Sequence, residues 1–268
     1  MKNEPKSNSV PLAIIVAVLI VVVLGAYWFY NSSKPTSGRA NRAANASNSA
    51  KTPQPVTTAP LGAQPPNMLG SPNAAVTVEE FADFQCAACA SIHQTMKEVQ
   101  STYGPRIRFI FRNYPLSIPA HSKAYDAAVA VEAAGLQDRN KFWAMQDQLF
   151  TNQLNWTENP NYRQIWADYA QKIGLDVERF QSDIAGRSAK ERVDLDLHRG
   201  RGLAVDSTPT VFVNGRPVPF KEINTASMRR IIDAEIQNSS ARSQSSTVAA
   251  NSSANTSATA ANASGNNK

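Results

Sequence analysis

The chain has 268 residues, with 27 Lys and Arg against 21 Asp and Glu, a formal net charge of +6, 42% hydrophobic residues and only two cysteines. So little sulfur excludes a disulfide-stapled scaffold and a four-thiolate zinc site. The positive balance would suggest a nucleic-acid partner, but residues 71–237 carry 19 Lys and Arg against 20 Asp and Glu, so the excess lies in the terminal segments and that suggestion falls.

A short tail, residues 1–9, precedes an uncharged apolar run from Val10 to Tyr30. At about 1.5 Å per helical residue this run is long enough to cross a bilayer core roughly 30 Å thick, and it predicts a single-pass transmembrane helix. It ends in Ala26-Tyr27-Trp28-Phe29-Tyr30, an aromatic cluster suited to the membrane interface rather than a small-x-small cleavage site. An uncleaved signal anchor is therefore expected, with residues 1–9 in the cytoplasm and the rest facing the periplasm or another extracytoplasmic space. Lys2 and Lys6 before the span against Lys34, Arg39 and Arg42 after it lean slightly the other way. The orientation rests instead on the oxidising compartment that a disulfide centre needs.

Residues 31–67 are rich in Ser, Asn, Ala, Thr and Pro and lack the apolar side chains of a core, which predicts a disordered linker. A chain of that length reaches on the order of 30–35 Å. The alternating strand and helix signals of an α/β domain occupy residues 68–237. Val76 to Phe81 reads as a strand. A helix follows Cys86, with Ile92, Met96, Val99 and Tyr103 on one apolar face and Gly104-Pro105 as its stop. Ile107 to Arg112 is a second strand. From about 117 to 203 nearly every signal is helical: Ser122 to Leu136, Arg139 to Phe150, Tyr162 to Ile173, Val177 to Ile184 and Ser188 to Arg201. Phe142, Trp143, Met145, Leu149, Phe150 and Trp166 read as the core of this block. Thr210 to Val213 resumes the sheet, Asn214-Gly215 marks a hairpin turn, and a last helix covers Met228 to Ile236. Residues 238–268, nearly all Asn, Ser, Ala and Thr, read as a disordered tail.

The chemistry is concentrated in Cys86-Ala87-Ala88-Cys89, where a strand gives way to a helix. Two thiols at this spacing in the first helical turn can close a small disulfide ring. The unpaired N–H groups and partial positive charge of the helix start favour a thiolate at Cys86. Cys86 is thus expected to be the nucleophile and Cys89 the resolving partner. His93 lies on the same helix, but no further ligand cluster accompanies it, so no metal and no cofactor are expected. His93, His121 and His198 read as ordinary surface or helix residues.

Several segments together resemble the DsbA-like thiol-disulfide oxidoreductases, thioredoxin-fold proteins with a helical insertion. They are Glu80-Phe81-Ala82-Asp83-Phe84-Gln85-Cys86 leading into the CxxC motif, Phe111-Arg112-Asn113-Tyr114-Pro115-Leu116, Gly174-Leu175-Asp176 with Phe180, and Thr208-Pro209-Thr210 followed by Phe212-Val213-Asn214-Gly215. The resemblance implies a cis peptide bond between Thr208 and Pro209, in a substrate-binding loop facing the cysteines. It implies a buried acid at Glu80 that assists proton transfer at the second cysteine, whereas Glu79 reads as an exposed strand carboxylate. It also implies oxidation of thiols in cysteine-containing substrate proteins of a bacterial envelope, with a membrane redox partner that resets the disulfide. The same residues suit a reductase or isomerase, and a non-catalytic binding or chaperone module is the reading from another class. Relatives often carry Pro, or Pro followed by His or an aromatic residue, between the cysteines. Ala87-Ala88 offers neither charge nor donor, so a less oxidising centre than in relatives with His is expected.

Overall fold

The β-branched and aromatic run beginning at Val76 is the central strand of a five-stranded sheet in the computed structural model, which describes residues 58–242 and 244. In chain order the strands are β1 (Asn67–Gly70), β2 (Val76–Ala82), β3 (Ile107–Asn113), β4 (Thr210–Val213) and β5 (Arg216–Val218), arranged β1-β3-β2-β4-β5. Helix α1 (Ala87–Tyr103) crosses over between the parallel pair β2 and β3, as parallel neighbours require. The other pairings are antiparallel. Asn214 (φ 49°) and Gly215 (φ 76°) make the β4–β5 turn, in the left-handed region that such a two-residue hairpin demands.

Between β3 and β4 lie α2 (Ala124–Gln137), α3 (Arg139–Thr151), the single turn α4 (Gln153–Trp156), α5 (Tyr162–Lys172), α6 (Val177–Ala185) and α7 (Ser188–Gly202). The fold is therefore a thioredoxin-like α/β sheet with an inserted helical block. The block is bound to the sheet through aromatic rings. Phe84 meets Phe150 at 4.6 Å and Phe111 at 5.7 Å between centroids, and Phe111 meets Phe142 at 5.9 Å. Phe142 and Phe150 thus belong to the joint between block and sheet as much as to the block itself.

Three features depart from the sequence expectation. Strand β1 and the turn α4 carry too short a pattern to announce themselves. The last helix runs from 225 to at least 242, extending past 237 into the segment expected to be a tail. The N-terminal border moves as well, because residues 60–67 are bound to the domain before β1 begins. Among the described residues no helix is long and apolar enough to cross a membrane, and the expected span at 10–30 lies outside them.

What binds residues 60–67 is a buried ionic network, and it corrects the reading of Glu79. Glu79 is 5% exposed, not a surface carboxylate. Successive side chains of a strand face opposite sides, and β2 is covered on both, so Glu79 and Glu80 are each buried. Arg199 of α7 grips Glu79 with both nitrogens (Nε–Oε1 2.6 Å, Nη2–Oε2 2.7 Å) while Arg112 of β3 donates to Oε1 at 2.8 Å. Arg112 also donates to Asp196 Oδ1 (2.9 Å) and to the carbonyls of Ala63 (3.1 Å) and Leu61 (2.9 Å). A second pair, Arg192 with Glu132, holds the carbonyl of Pro65 and the Asn67 side chain. Burial pushes the Glu79 carboxyl up, but hydrogen bonds and charge from Arg199 and Arg112 outweigh it and hold the group below its ordinary value. At Asp196 burial wins and the carboxyl is raised despite Arg112.

Removing the cation shared by these carboxylates leaves Asp196 buried and unpaired. Arg112→Ala is expected to cost about 3–5 kcal/mol in urea unfolding, the usual penalty for breaking a buried pair from one side. A loss below about 1 kcal/mol, the range of surface ion pairs, would show that the network does not hold the domain together.

Candidate active site

Strand β2 ends at Ala82, and Asp83-Phe84-Gln85 turns the chain into α1. Cys86 takes the N-cap position of that helix with φ −74° and ψ 116°. The turn is closed by Cys86 N–H donating to the Asp83 carbonyl (3.1 Å) and Gln85 N–H donating to Asp83 Oδ1 (2.7 Å). Both thiols are free. Cys86 keeps 8% exposure while Cys89, one turn into the helix, has none. Ala87 is exposed and Ala88 half-buried, so the dipeptide leaves the surface beside Cys86 unobstructed.

Across from this helix end, the Thr208–Pro209 peptide is cis. In its protonated form the Cys86 thiol donates to the Thr208 carbonyl at 3.3 Å, bringing together residues that are 122 positions apart. Beyond the loop lies a groove of about 320 Å³ walled by Val205, Pro209, Phe212, Val218 and Phe220.

The two sulfurs are driven in opposite directions. The Cys89 thiol, donating to the Cys86 sulfur, is the largest influence on Cys86. Burial opposes it, and the Cys89 N–H, the nearby Thr208 side chain and the Ala88 N–H add to it, taking Cys86 from an ordinary 9.0 to about 5. The amide of Ala88 thus contributes although its side chain cannot. Cys89 is raised far above its ordinary value by burial, by giving its proton to Cys86 and by the charge that develops there. At neutral pH the arrangement is one thiolate, at Cys86, hydrogen-bonded by one buried thiol.

Glu80 is 3% exposed and makes no hydrogen bond among the described residues. Burial alone raises its carboxyl to about 8, so it is mostly protonated at pH 7. The structure buries this acid in β2 and sets no hydrogen bond between it and either cysteine.

Three contributors escape a reading of the sequence. Gln153, in α4, donates from Nε2 to the carbonyls of Phe84 (2.7 Å) and Cys86 (3.1 Å), fastening the turn from the helical block. Asp83 is fully buried. His121, expected to be unremarkable, places Nδ1 2.7 Å from Asp83 Oδ2. Asp three residues before the helical cysteine is the one signal that could have suggested a side-chain-closed turn. Nothing local marks Gln153 or His121. His93 pairs with Asp147 at 2.9 Å and lies against Phe150, with no hydrogen bond to this turn. Among the described residues no group of three or more His, Cys, Asp or Glu side chains is arranged to hold a metal ion.

The acidity of Cys86 sets the first expectation for this site: alkylation of the reduced protein should label Cys86, with a rate half-maximal near pH 5, and spare Cys89. Thr208→Val, which removes the hydroxyl, should move that midpoint upward by roughly 0.5–1 unit. A wild-type midpoint near the ordinary value of about 8.5 would show that the thiolate is not stabilised. Glu80 supplies a second expectation. Its folded value of about 8 exceeds the ordinary 4.5, so its contribution to stability is fully present below pH 4.5 and is lost as pH rises towards 8. Glu80→Gln should therefore stabilise the fold by about 2–3 kcal/mol at pH 7, with the gain vanishing in acid. A destabilised variant would show that the carboxyl has a partner it needs.

A family model described as thioredoxin, Thioredoxin_4, matches residues 63–234. Among solved structures, BdbD from Bacillus subtilis superimposes with a TM-score of 0.59 at 21% identity, over 69% of this chain and 99% of that one. The thiol-disulfide exchange protein alpha-DsbA2 from Wolbachia pipientis superimposes with a TM-score of 0.52 at 19% identity, over 62% and 85%. A curated relative, the Na(+)/H(+) antiporter NhaA 1 of Mycolicibacterium gilvum, is 37% identical over 161 residues, 59% of this chain but only 24% of the relative. The chain therefore spans about a quarter of that relative's length. It belongs to the thioredoxin family and has the DsbA-like form of its fold, with the helical block set between β3 and β4.

Proposed function

We propose that the protein is a thiol-disulfide oxidoreductase that oxidises thiols of other proteins through the Cys86–Cys89 pair. The observation that carries this reading is the asymmetry of the two sulfurs, one acidic and slightly exposed, the other fully buried and protonated. In the oxidised protein a substrate thiolate attacks Cys86 Sγ, forming a mixed disulfide and expelling the Cys89 sulfur, which takes up a proton. Glu80, protonated at neutral pH, is the proposed source of that proton. A second substrate thiolate then attacks the substrate sulfur of the mixed disulfide. Cys86 leaves as a stabilised thiolate, the substrate gains a disulfide, and the protein is left reduced by two electrons. A membrane redox partner carrying a disulfide or a quinone is the proposed acceptor that takes those electrons back.

Energetics supports the oxidising direction. A dithiol whose nucleophile has a value of about 5 instead of 9.0 is favoured in its reduced form at pH 7. That preference is on the order of 3 kcal/mol, or tens of millivolts for a two-electron couple. It is largest at high pH and is lost as pH falls through 5, because the reduced Cys86 is then protonated as an ordinary cysteine would be. The Thr208 carbonyl edge and the adjoining groove suit an extended, cysteine-containing segment of a substrate protein. The span at 10–30 is the proposed anchor, holding the domain on the extracytoplasmic side of a bacterial envelope. The antiporter name of the curated relative is not carried over, since the match leaves three quarters of that protein without a counterpart here.

The decisive measurement is the equilibrium of the whole chain with a glutathione buffer, together with disulfide formation in a reduced multi-cysteine substrate protein. A potential more oxidising than about −200 mV and stoichiometric substrate oxidation are expected. Cys86→Ser should abolish both, and Ala88→His should raise the potential further. A potential near thioredoxin's, about −270 mV, with no substrate oxidation, would assign the site to reduction instead.

A further inference from the structure

Asp83 connects the segment that leads into the helical block with both cysteines. Its carbonyl accepts the Cys86 N–H at 3.1 Å, and its own N–H is directed at the Cys89 sulfur. Its carboxylate, fully buried, accepts from Gln85 N–H on Oδ1 (2.7 Å) and, on Oδ2, from Leu116 N–H (2.8 Å) and His121 Nδ1 (2.7 Å). Leu116 and His121 belong to the segment that leads into the helical block, where Pro119–His121 forms a single 3-10 turn. A second tie runs alongside, from Lys123 N–H to the Gln85 side chain. The turn holding Cys86 is thus fixed by the segment that leads into the block.

Resting on the reading of Cys86 and Cys89 as the redox pair, we propose that His121, acting through Asp83, is a positioning residue that sets the thiolate stability of Cys86. A buried carboxylate holds the turn around it only while its lone pairs are taken up by donors. The imidazole is the one side-chain donor that does so, and charge-assisted bonds of this kind are the strong ones. With the donor lost, Oδ2 keeps only the Leu116 amide, the turn that aims the Asp83 carbonyl and N–H at the two cysteines loosens, and the thiolate becomes less favourable. The donor atom matters, and the ring does not. An asparagine amide nitrogen can occupy the place of Nδ1, so His121→Asn keeps the bond and His121→Leu removes it.

The test compares wild type, His121→Leu and His121→Asn in two measurements, the pH midpoint of Cys86 alkylation and the equilibrium constant with glutathione. His121→Leu should raise the midpoint by about half a unit or more. It should also shift the equilibrium towards the disulfide by about threefold to tenfold, a tenfold change being about 30 mV for two electrons. His121→Asn should stay within about twofold of wild type. If the leucine variant does not fold, His121→Gln, whose amide extends past the Nδ1 position, takes its place with the same expected shift. A leucine or glutamine variant that melts earlier but leaves both readings unmoved would make the pair merely structural and overturn the proposal, as would an asparagine variant that shifts as far as leucine. A wild-type chain with no glutathione-dependent couple would instead bring down the redox reading of Cys86 and Cys89, and this inference with it.

Discussion

Strand β2 is covered on both faces, and most of what distinguishes this molecule follows from that. A strand exposed on one side could alternate apolar and polar residues and leave its carboxylates in water. Here consecutive acids, Glu79 and Glu80, are both taken out of solvent, and the two faces treat them differently. On one face Arg112 and Arg199 neutralise Glu79 and keep it ionised. On the other no donor reaches Glu80, and burial keeps its proton on. Desolvation of a lone carboxyl outweighs its tendency to ionise, whereas two guanidinium groups reverse the sign. The same strand then ends and delivers Cys86 to the start of α1.

At that helix end the local electric field does less than the neighbours in space. A helix start contributes on the order of 0.3–2 kcal/mol to a nearby anion. The fall of Cys86 from 9.0 to about 5 is larger, and its main cause is the buried Cys89 thiol. Two groups that share one proton cannot both ionise in a desolvated pair, so the more exposed sulfur takes the charge and the deeper one keeps hydrogen. The alanines between them tune nothing with their side chains. They let the cysteines approach and leave the flank of Cys86 free for a partner.

The helical block acts as a brace for this arrangement. Its rings interlock with Phe84 and Phe111, its single turn α4 supplies Gln153 to two carbonyls of the cysteine turn, and its leading segment holds Asp83. On the opposite side α7 sends Arg199 and Asp196 into the network that fastens residues 60–67. Block and sheet are therefore joined by both an aromatic contact and an ionic one. Shape and area fix the first, while the second would be destabilising if any one charge were missing.

What the sequence determined by itself is whatever depends on neighbours along the chain. The strand beginning at Val76, the apolar face of Ile92, Met96, Val99 and Tyr103, the Asn214-Gly215 turn and the CxxC spacing are legible because periods of two and 3.6 and the φ tolerance of turn residues are local properties. The 67–70 strand is not, since four residues carry too little pattern. The state of each buried polar group was decided only by tertiary structure. Glu79 reads as a surface carboxylate until Arg112 and Arg199, 33 and 120 positions away, are folded onto it. His121 and Gln153 are unremarkable until they reach the cysteine turn from 38 and 67 positions away. The cost of burying a charge, and therefore the side on which its proton lies, is set by the donors that surround it in space. No stretch of sequence around Cys86 contains the Thr208 hydroxyl and carbonyl that face it.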